Sequence, residues 1–247
     1  MKLVDQAQLN LPANYLFIPK TQAVDFLTAM GNTPGDDLLG LVVSEDPEAT
    51  WMVVARFEKS GYIKDDDAKE WNADELLKSL KDGTETGNEE RRKKGIPEFS
   101  VVGWVQSPSW QASTHRLIWS AEIRDKVPTQ DAEPGINYNT YALGREGYVS
   151  LNLVTELSAI SRDKPIAETL LSALQFDTGK RYEDFNADTD HIAEYGLAAL
   201  VGGIAAKKIG LLAVAAAFAA KFFKVIAIAV VAGLGILRKA IGRKGES

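Results

Sequence analysis

Two acidic stretches hold the side chains of this sequence that are best suited to bind a cation. The first, "GYIKDDDAKEW", contains three consecutive carboxylates, Asp65, Asp66 and Asp67. Consecutive side chains point in different directions and would converge on one ion only in a special loop, so we expect a solvated turn there. The second, "DFNADTDHIAEY", has oxygen ligands at alternate positions, like the start of a calcium loop: Asp184, Asn186, Asp188 and Asp190.

The second stretch lacks the two residues that complete such a loop. An EF-hand calcium loop carries Gly at its sixth position and Glu at its twelfth, where this sequence has Thr189 and Tyr195. We therefore expect Asp188, Thr189 or Asp190 to cap a following helix. No metal site is predicted in either stretch.

Catalytic signals are weak throughout the chain. The sequence has no cysteine and only two histidines, His115 and His191, and a zinc site would need more ligands than these. The nucleophile elbow, the H-E-x-x-H motif and the phosphate-binding glycine loops are missing from the sequence. We predict a protein without enzymatic activity or cofactor. A hydrolase with a non-obvious site is the alternative, which a deep pocket gathering His115 with carboxylates would favour.

The segment "KDGTETGNEERRKKG" offers a candidate surface for a partner or an anion. Its Gly83 and Gly87 are one turn apart in a predicted helix, where they could let another backbone approach closely. Asn88, Arg91 and Arg92 follow, and together with the three aspartates of the first acidic stretch they form the predicted interaction surface. The alternative interpretation is a solvated helix end with a break at Gly83.

The elements that must position these groups predict an α+β fold, a mostly antiparallel sheet with a few helices. One helix is expected after Asn72, whose spacing to Glu75 resembles a capping box. The loop "GREG" predicts a hairpin between two strands. Strands are predicted at "NYLFI", "LLGLVV", "TWMVVARFE", "FSVVGWVQ", "HRLIWSAEIR", "INYNTYAL" and "GYVSLNLV", and further helices at "TQAVDFLTAM" and "KPIAETLLSAL".

Charge is distributed very unevenly along the chain. The overall net charge is −6, yet residues 207–247 hold eight basic residues against Glu246 alone, a net charge of +7. The rest of the chain therefore carries −13. The acidic charge of residues 1–206 argues against nucleic-acid binding, which needs clustered basic residues. A basic tail beside an apolar run favours contact with anionic lipid.

The carboxyl-terminal apolar run predicts a transmembrane helix over residues 221–238. Its apolar part, residues 222–237, is about 24 Å long at 1.5 Å per residue, slightly short of a bilayer, and includes Lys224 in its first turn. Lys221 and Lys224 would reach the headgroups at one interface, and Arg238 and Lys239 would mark the other. This makes the lipid bilayer a partner of the chain.

The apolar stretch before this helix leaves alternatives open. Residues 188–220 are predicted as a juxtamembrane helix that lies on the membrane or extends the span with tilt. Small residues along the whole apolar run, such as Ala215, Ala219, Gly233 and Gly235, could instead allow an oligomeric pore through residues 195–237. A helix buried in a soluble core is the third possibility. The basic tail, residues 239–247, favours the cytoplasmic side. The α+β domain, residues 1–187, would then lie outside the cytoplasm, and the export signal missing from the first residues is expected to have been removed.

Several long stretches resemble a bacterial family of predicted membrane-anchored proteins, domain-of-unknown-function family 2167. They are "GNTPGDDLLGLV", "SGYIKDDDA", "LLKSLKDGTETGNEERRKKG", "VVGWVQSPSWQASTHRLIWS" and "GKRYEDFNADTDHIAEYGLAALVGG". The resemblance implies an exported domain with an amino-terminal signal and a carboxyl-terminal membrane segment. It transfers no catalytic residue. The function predicted is interaction or assembly in the bacterial envelope, at the inner membrane, with an unknown protein partner or a second copy of the chain.

Overall fold

The computed structural model describes residues 1–30, 32, 34–69, 71–128 and 133–202, and within these ranges it has the predicted α+β architecture. Its helices are α1 Lys20–Ala29, α2 Ala73–Lys93, α3 Ile160–Ala173 and α4 Ala198–Gly202. Its strands are β1 Lys2–Leu3, β2 Ala7–Leu9, β3 Tyr15–Pro19, β4 Leu38–Ser44, β5 Met52–Glu58, β6 Phe99–Gln111, β7 Arg116–Asp125, β8 Gly135–Leu143, β9 Tyr148–Glu156 and β10 Leu174–Phe176.

Seven of these strands form one antiparallel sheet in the order β3-β4-β5-β9-β8-β7-β6. The predicted hairpin is present between β8 and β9, where the Gly144 N–H donates to the Gly147 carbonyl at 2.8 Å. Strand β8 is buried at every residue, and β9 at every residue except its two ends. Both faces of the sheet centre are therefore covered.

A second, three-stranded sheet in the order β1-β2-β10 lies outside the sequence prediction. Strands of two or three residues are too short to show an alternating pattern. The predicted helix "KPIAETLLSAL" begins earlier, at Ile160, and ends at Ala173, because the chain then pairs with β2 as β10. Local periodicity does not contain such long-range pairing.

The long helix α2 begins as predicted and continues further than one alternative allowed. The Asn72 side chain accepts hydrogen bonds from two backbone N–H groups of the first turn, at 2.8 and 3.2 Å. The helix then passes through Gly83 and Gly87 without a break. The predicted helix break at Gly83 is therefore wrong. Hydrogen bonds from Asn88 and Arg91 to the chain at the start of β6 hold the last turns of the helix in place. A Cβ atom at Gly87 would meet nothing within 4 Å, so no backbone approaches there.

The two faces of the large sheet carry different layers. On one face, α3 and the small sheet cover a single apolar cluster built from β5, β9 and β8. The other face carries two separate clusters, one under α1 and one under α2 and α4. The space between these two clusters lies over β9 and β8.

The α+β domain, called the head below, extends beyond its predicted boundary at residue 187. Residues 188–197 contain no helix, and Leu197 and Val201 are buried in the cluster under α2. In the described ranges no helix combines the length and apolar character that a membrane span requires. The predicted transmembrane helix, the tail 239–247 and residues 203–220 lie outside the described residues.

Candidate functional site

A cavity of about 260 Å³ opens where the β6–β7 hairpin meets the chain after β10. The hairpin supplies Thr114 and His115, and the backbone at His115 has a φ of 51°, a conformation that favours glycine. Such strain in a non-glycine residue is concentrated at functional positions. The lining residues are Thr114, His115, Leu143, Gln175, Phe176, Arg181, Tyr182 and Glu183.

The rings of His115 and Tyr182, two of the lining residues, form an aromatic floor of this cavity and belong to a longer stack of rings. The His115 ring lies on Tyr182 with centroids 4.3 Å apart, Tyr182 contacts Tyr62 at 4.4 Å, and Tyr62 stacks on Phe185 at 3.9 Å. The Tyr182 hydroxyl donates to the Ile63 carbonyl at 2.8 Å, which fixes the ring. The floor is therefore held in place before any ligand arrives.

A close backbone approach fixes the side wall. A Cβ atom at Gly144 would lie 2.5 Å from the Phe176 ring and 2.9 Å from the Lys180 carbonyl. Only glycine fits there without displacing the Phe176 ring from the cavity wall.

The polar groups around the cavity suit recognition. The Nδ1 atom of His115 is buried and has no hydrogen-bond partner among the described residues. Thr114, Gln175, Arg181 and Glu183 are exposed at the rim and offer a hydroxyl, an amide, a cation and an anion. Burial is the main cause that raises the pKa of Tyr182, and the contact with Tyr62 raises it further, so the phenol stays neutral.

The cavity meets the condition for the hydrolase alternative only in part. His115 is present, but Glu183 is the one carboxylate among the lining residues of this cavity. General acid–base chemistry with paired carboxylates needs a second one. The sequence singled out His115 but not Tyr182, Tyr62 or Arg181, because the partners of the stack are far apart along the chain.

The three aspartates diverge, as their spacing predicts. Asp65 accepts a hydrogen bond from the Trp110 indole N–H at 3.1 Å. Asp67 accepts from the backbone N–H groups of Leu197 and Ala198 at 3.1 and 2.9 Å, at the start of α4. Asp66 is exposed. The residues that the structure describes contain no acidic or histidine group arranged to hold a metal ion.

The calcium-like stretch is organised by an ion pair. Asp190 accepts two hydrogen bonds from the Arg145 guanidinium at 2.7 and 2.8 Å, and a third from the Asn186 backbone N–H at 2.7 Å. Arg145 holds the pKa of Asp190 well below its usual range. The expected helix cap from this stretch is wrong, because Asp67 performs that role from a distant loop.

Two residues of the predicted interaction surface are buried. The Asn88 side chain is fully buried, donates to the Phe99 carbonyl at 2.7 Å and accepts from the Phe99 N–H at 3.2 Å. Arg91 is 4% exposed, donates to the Pro97 carbonyl at 2.8 Å and lies 4.8 Å from the Phe99 ring centroid. Neither side chain is accessible to a partner, so both must be removed from that surface.

Arg92 differs from these two residues because it is exposed. It forms a bidentate ion pair with Glu98, with both hydrogen bonds at 2.9 Å. Of the predicted surface, Arg92 and Asp66 therefore remain exposed, and Asp65 is half-buried. Helical spacing could have separated these roles, because Arg91 follows the buried Thr84 and Asn88 at intervals of four and three residues and so shares their face, whereas Arg92 does not.

A family model described as "Protein of unknown function (DUF2167)" matches residues 1–234 of the chain. Among solved structures, cyanobacterial PsbP (CyanoP) from Synechocystis sp. PCC 6803 matches with 9% identity and a TM-score of 0.42, covering 71% of this chain and 89% of that one. LpqN, described as involved in cell envelope biogenesis of Mycobacterium tuberculosis, matches with 12% identity and a TM-score of 0.35, covering 69% and 82%. Structural similarities this weak do not support an inference about function. None of the curated proteins matches the chain.

Proposed function

The chain belongs to the DUF2167 family of proteins of unknown function, and we propose that it is a non-enzymatic binding protein of the bacterial envelope. In this proposal residues 221–238 hold it in the inner membrane, and the acidic head recognises a protein partner or a second copy outside the cytoplasm. The cavity over the Tyr182 stack is the observation that carries the binding role. A fixed aromatic floor with an exposed polar rim is typical of recognition sites.

The composition of the rim supports a partner that brings both charges and an apolar group. Arg181 and Glu183 would each take an opposite charge, while Leu143 and Phe176 provide apolar surface beside them. A side chain of a partner protein would fit about 260 Å³, which is below the usual range for whole drug-sized ligands.

The carboxyl-terminal sequence supports both the membrane anchor and its orientation. An apolar run flanked by Lys221, Lys224, Arg238 and Lys239 has the length of a slightly short span. The Lys and Arg residues of the tail favour the cytoplasmic side, which leaves the head on the other side of the membrane.

Photo-crosslinking at the cavity rim tests the binding role. The residue p-benzoylphenylalanine would replace Thr114 in full-length protein in intact cells, and Val127 in a matched control. Val127 is 86% exposed and follows the far end of β7, about 34 Å from His115 for a ten-residue strand. We expect a discrete cross-linked adduct from position 114 that is missing from position 127.

Two further outcomes decide the interpretation of the adduct. An Arg181→Glu, Glu183→Lys double substitution should abolish it without altering expression. The same adducts from both positions, or none from position 114, would contradict a recognition site at this cavity.

A further inference from the structure

A patch of polar side chains lies buried on the open face of the large sheet, between its two apolar clusters. One row of directly paired residues runs Val54, Asn152, Asn139 and Trp119 across four strands. Val54 belongs to the cluster under α1 and Trp119 to the cluster under α2, so the two asparagines bridge the gap. Paired residues of an antiparallel sheet point to the same face, so this row shares one side.

The neighbouring rows repeat the arrangement. Asn137 stands between Val154 of one cluster and Ala121 of the other. On the other side, Arg56 and Tyr141 lie on either side of Ser150 in one row. Strand spacing of about 4.8 Å makes the patch about 14 Å wide. The buried polar patch is defined here as Arg56, Trp119, Asn137, Tyr141 and Asn152.

Polar atoms of this patch are left without hydrogen-bond partners among the described residues. They are Arg56 Nη1, Trp119 Nε1, Asn137 Oδ1, the Tyr141 hydroxyl and both polar atoms of the Asn152 side chain. The five residues are 9% exposed or less, and Asn152 and Tyr141 are only 2% exposed. Unpaired buried polar groups are costly and rare in native proteins, so a concentration of them on one face needs an occupant.

The chemistry of these atoms restricts that occupant. Arg56, Trp119 and the Asn152 amide are donors, the two asparagine oxygens are acceptors, and the Tyr141 hydroxyl is both. An anion only accepts and would leave the asparagine oxygens unpaired. A simple cation only donates or coordinates, and would leave the arginine and indole unpaired. A hydroxyl group donates and accepts at once and can satisfy both kinds.

Local charge points the same way. The Arg56 Nε atom lies 3.3 Å from an Asp37 carboxylate oxygen, which balances the guanidinium charge. Burial raises the pKa of the Tyr141 hydroxyl, and an interaction with the Trp119 side chain lowers it in part, although the two groups lack the geometry of a full hydrogen bond. A ligand hydroxyl beside this pair would accept from the indole N–H and donate to the phenol oxygen. We infer that the buried polar patch binds a small, uncharged, hydroxyl-bearing molecule such as a polyol or a sugar.

The Trp119 indole resonance is a direct probe of this site. Full-length protein carrying ¹⁵N-labelled tryptophan gives one indole signal for each of its 5 tryptophans, and Trp119→Phe assigns the relevant one. A phosphocholine detergent carries no hydroxyl group and avoids competition. The probes are glycerol, glucose and N-acetylglucosamine, with sodium acetate and ammonium chloride as the anionic and cationic controls.

We expect at least one hydroxyl probe to shift the Trp119 signal saturably, with half-saturation at about 1–10 mM. The Trp104 and Trp110 indoles already donate to the Ala73 carbonyl and to Asp65, so their signals should stay fixed. Asn152→Leu should raise the half-saturation concentration of this shift about tenfold. Asn137→Leu is a second, independent variant for which we expect the same change.

Three results would overturn the proposal. No shift with any hydroxyl probe up to about 50 mM, far above common ligand affinities, would mean that ordered water alone fills the patch. A shift of equal size with acetate or ammonium would contradict the uncharged chemistry. Movement of all tryptophan signals together would indicate a solvent effect. None of these results bears on the cavity over Tyr182, so the two proposals fail separately.

Discussion

Two buried asparagines, Asn88 on α2 and Asn152 on β9, occupy comparable depths but have different surroundings. Asn88 is 0% exposed and exchanges two hydrogen bonds with the backbone of Phe99, so it joins α2 to β6. Asn152 is 2% exposed and neither of its side-chain polar atoms has a partner among the described residues. The first asparagine joins two elements of the fold, whereas the second has no hydrogen-bond partner within the described part of the chain.

The difference shows how burial alone misleads. A buried polar side chain that is fully bonded within the chain stabilises the structure, and one that is unbonded carries a desolvation cost until a ligand or water binds. Substitutions by an apolar residue of similar size should therefore act in opposite directions at the two sites.

The largest effect is expected at the junction of α2 and β6. Asn88→Leu leaves the Phe99 N–H and carbonyl groups buried without their partner, which should lower the free energy of unfolding by about 3 kcal/mol. Urea denaturation followed by tryptophan fluorescence measures it. A loss below about 1 kcal/mol would mean that Asn88 does not hold the junction.

An adjacent pair of arginines on α2 sharpens the same point. Arg91→Met removes a buried charged donor from the Pro97 carbonyl and should cost about 2 kcal/mol. Arg92→Met, one residue further along, breaks only an exposed ion pair with Glu98 and should cost less than about 1 kcal/mol. Equal losses from the two variants would argue against the burial difference between them.

Asn152→Leu should change stability in the opposite direction. Removing two unbonded polar atoms from a buried position should raise the free energy of unfolding by about 1 kcal/mol when no ligand is present. The same urea experiment, run on protein without added polyol or sugar, provides the value. A loss as large as that of Asn88→Leu would mean that Asn152 is already satisfied in the folded protein.

The smallest expected effect is the acid sensitivity of the loop at Asp190. Arg145 lowers the pKa of this carboxyl from its ordinary value of 3.8, so the stabilisation is complete above pH about 4. It is lost progressively as the pH falls below about 4 and then through the lower pKa of the folded state. Between pH 5 and pH 2 the native protein should lose more stability than Asp190→Asn. Asp188→Asn, in the same loop, is the control and should follow the native protein.

Local patterns in the sequence predicted the local structure well. Alternation in "HRLIWSAEIR" and the hairpin signal at "GREG" correspond to β7 and to the β8–β9 turn, and the Asn72 cap is confirmed. Strands β1, β2 and β10 were missed because two or three residues carry no period.

The sites depend on contacts between distant residues, which no local pattern reveals. His115 meets Tyr182, and Arg145 pairs with Asp190, only after the sheet has formed. Asn88 and Asn152 look alike in the sequence, and only the strand register and the position of α2 distinguish their roles. The divergence of the three aspartates was predictable, because consecutive side chains cannot converge, but the partners of Asp65 and Asp67 were not.

The claim on which the proposed role depends most is that the head lies outside the cytoplasm. Because the chain contains no cysteine, a single Val127→Cys substitution in the full-length protein gives one reactive thiol at an 86% exposed position. Intact cells that express it from its natural gene would be treated with a membrane-impermeant maleimide, before and after lysis. We predict full labelling in intact cells. Labelling that occurs only after lysis would place the head in the cytoplasm and contradict the proposal.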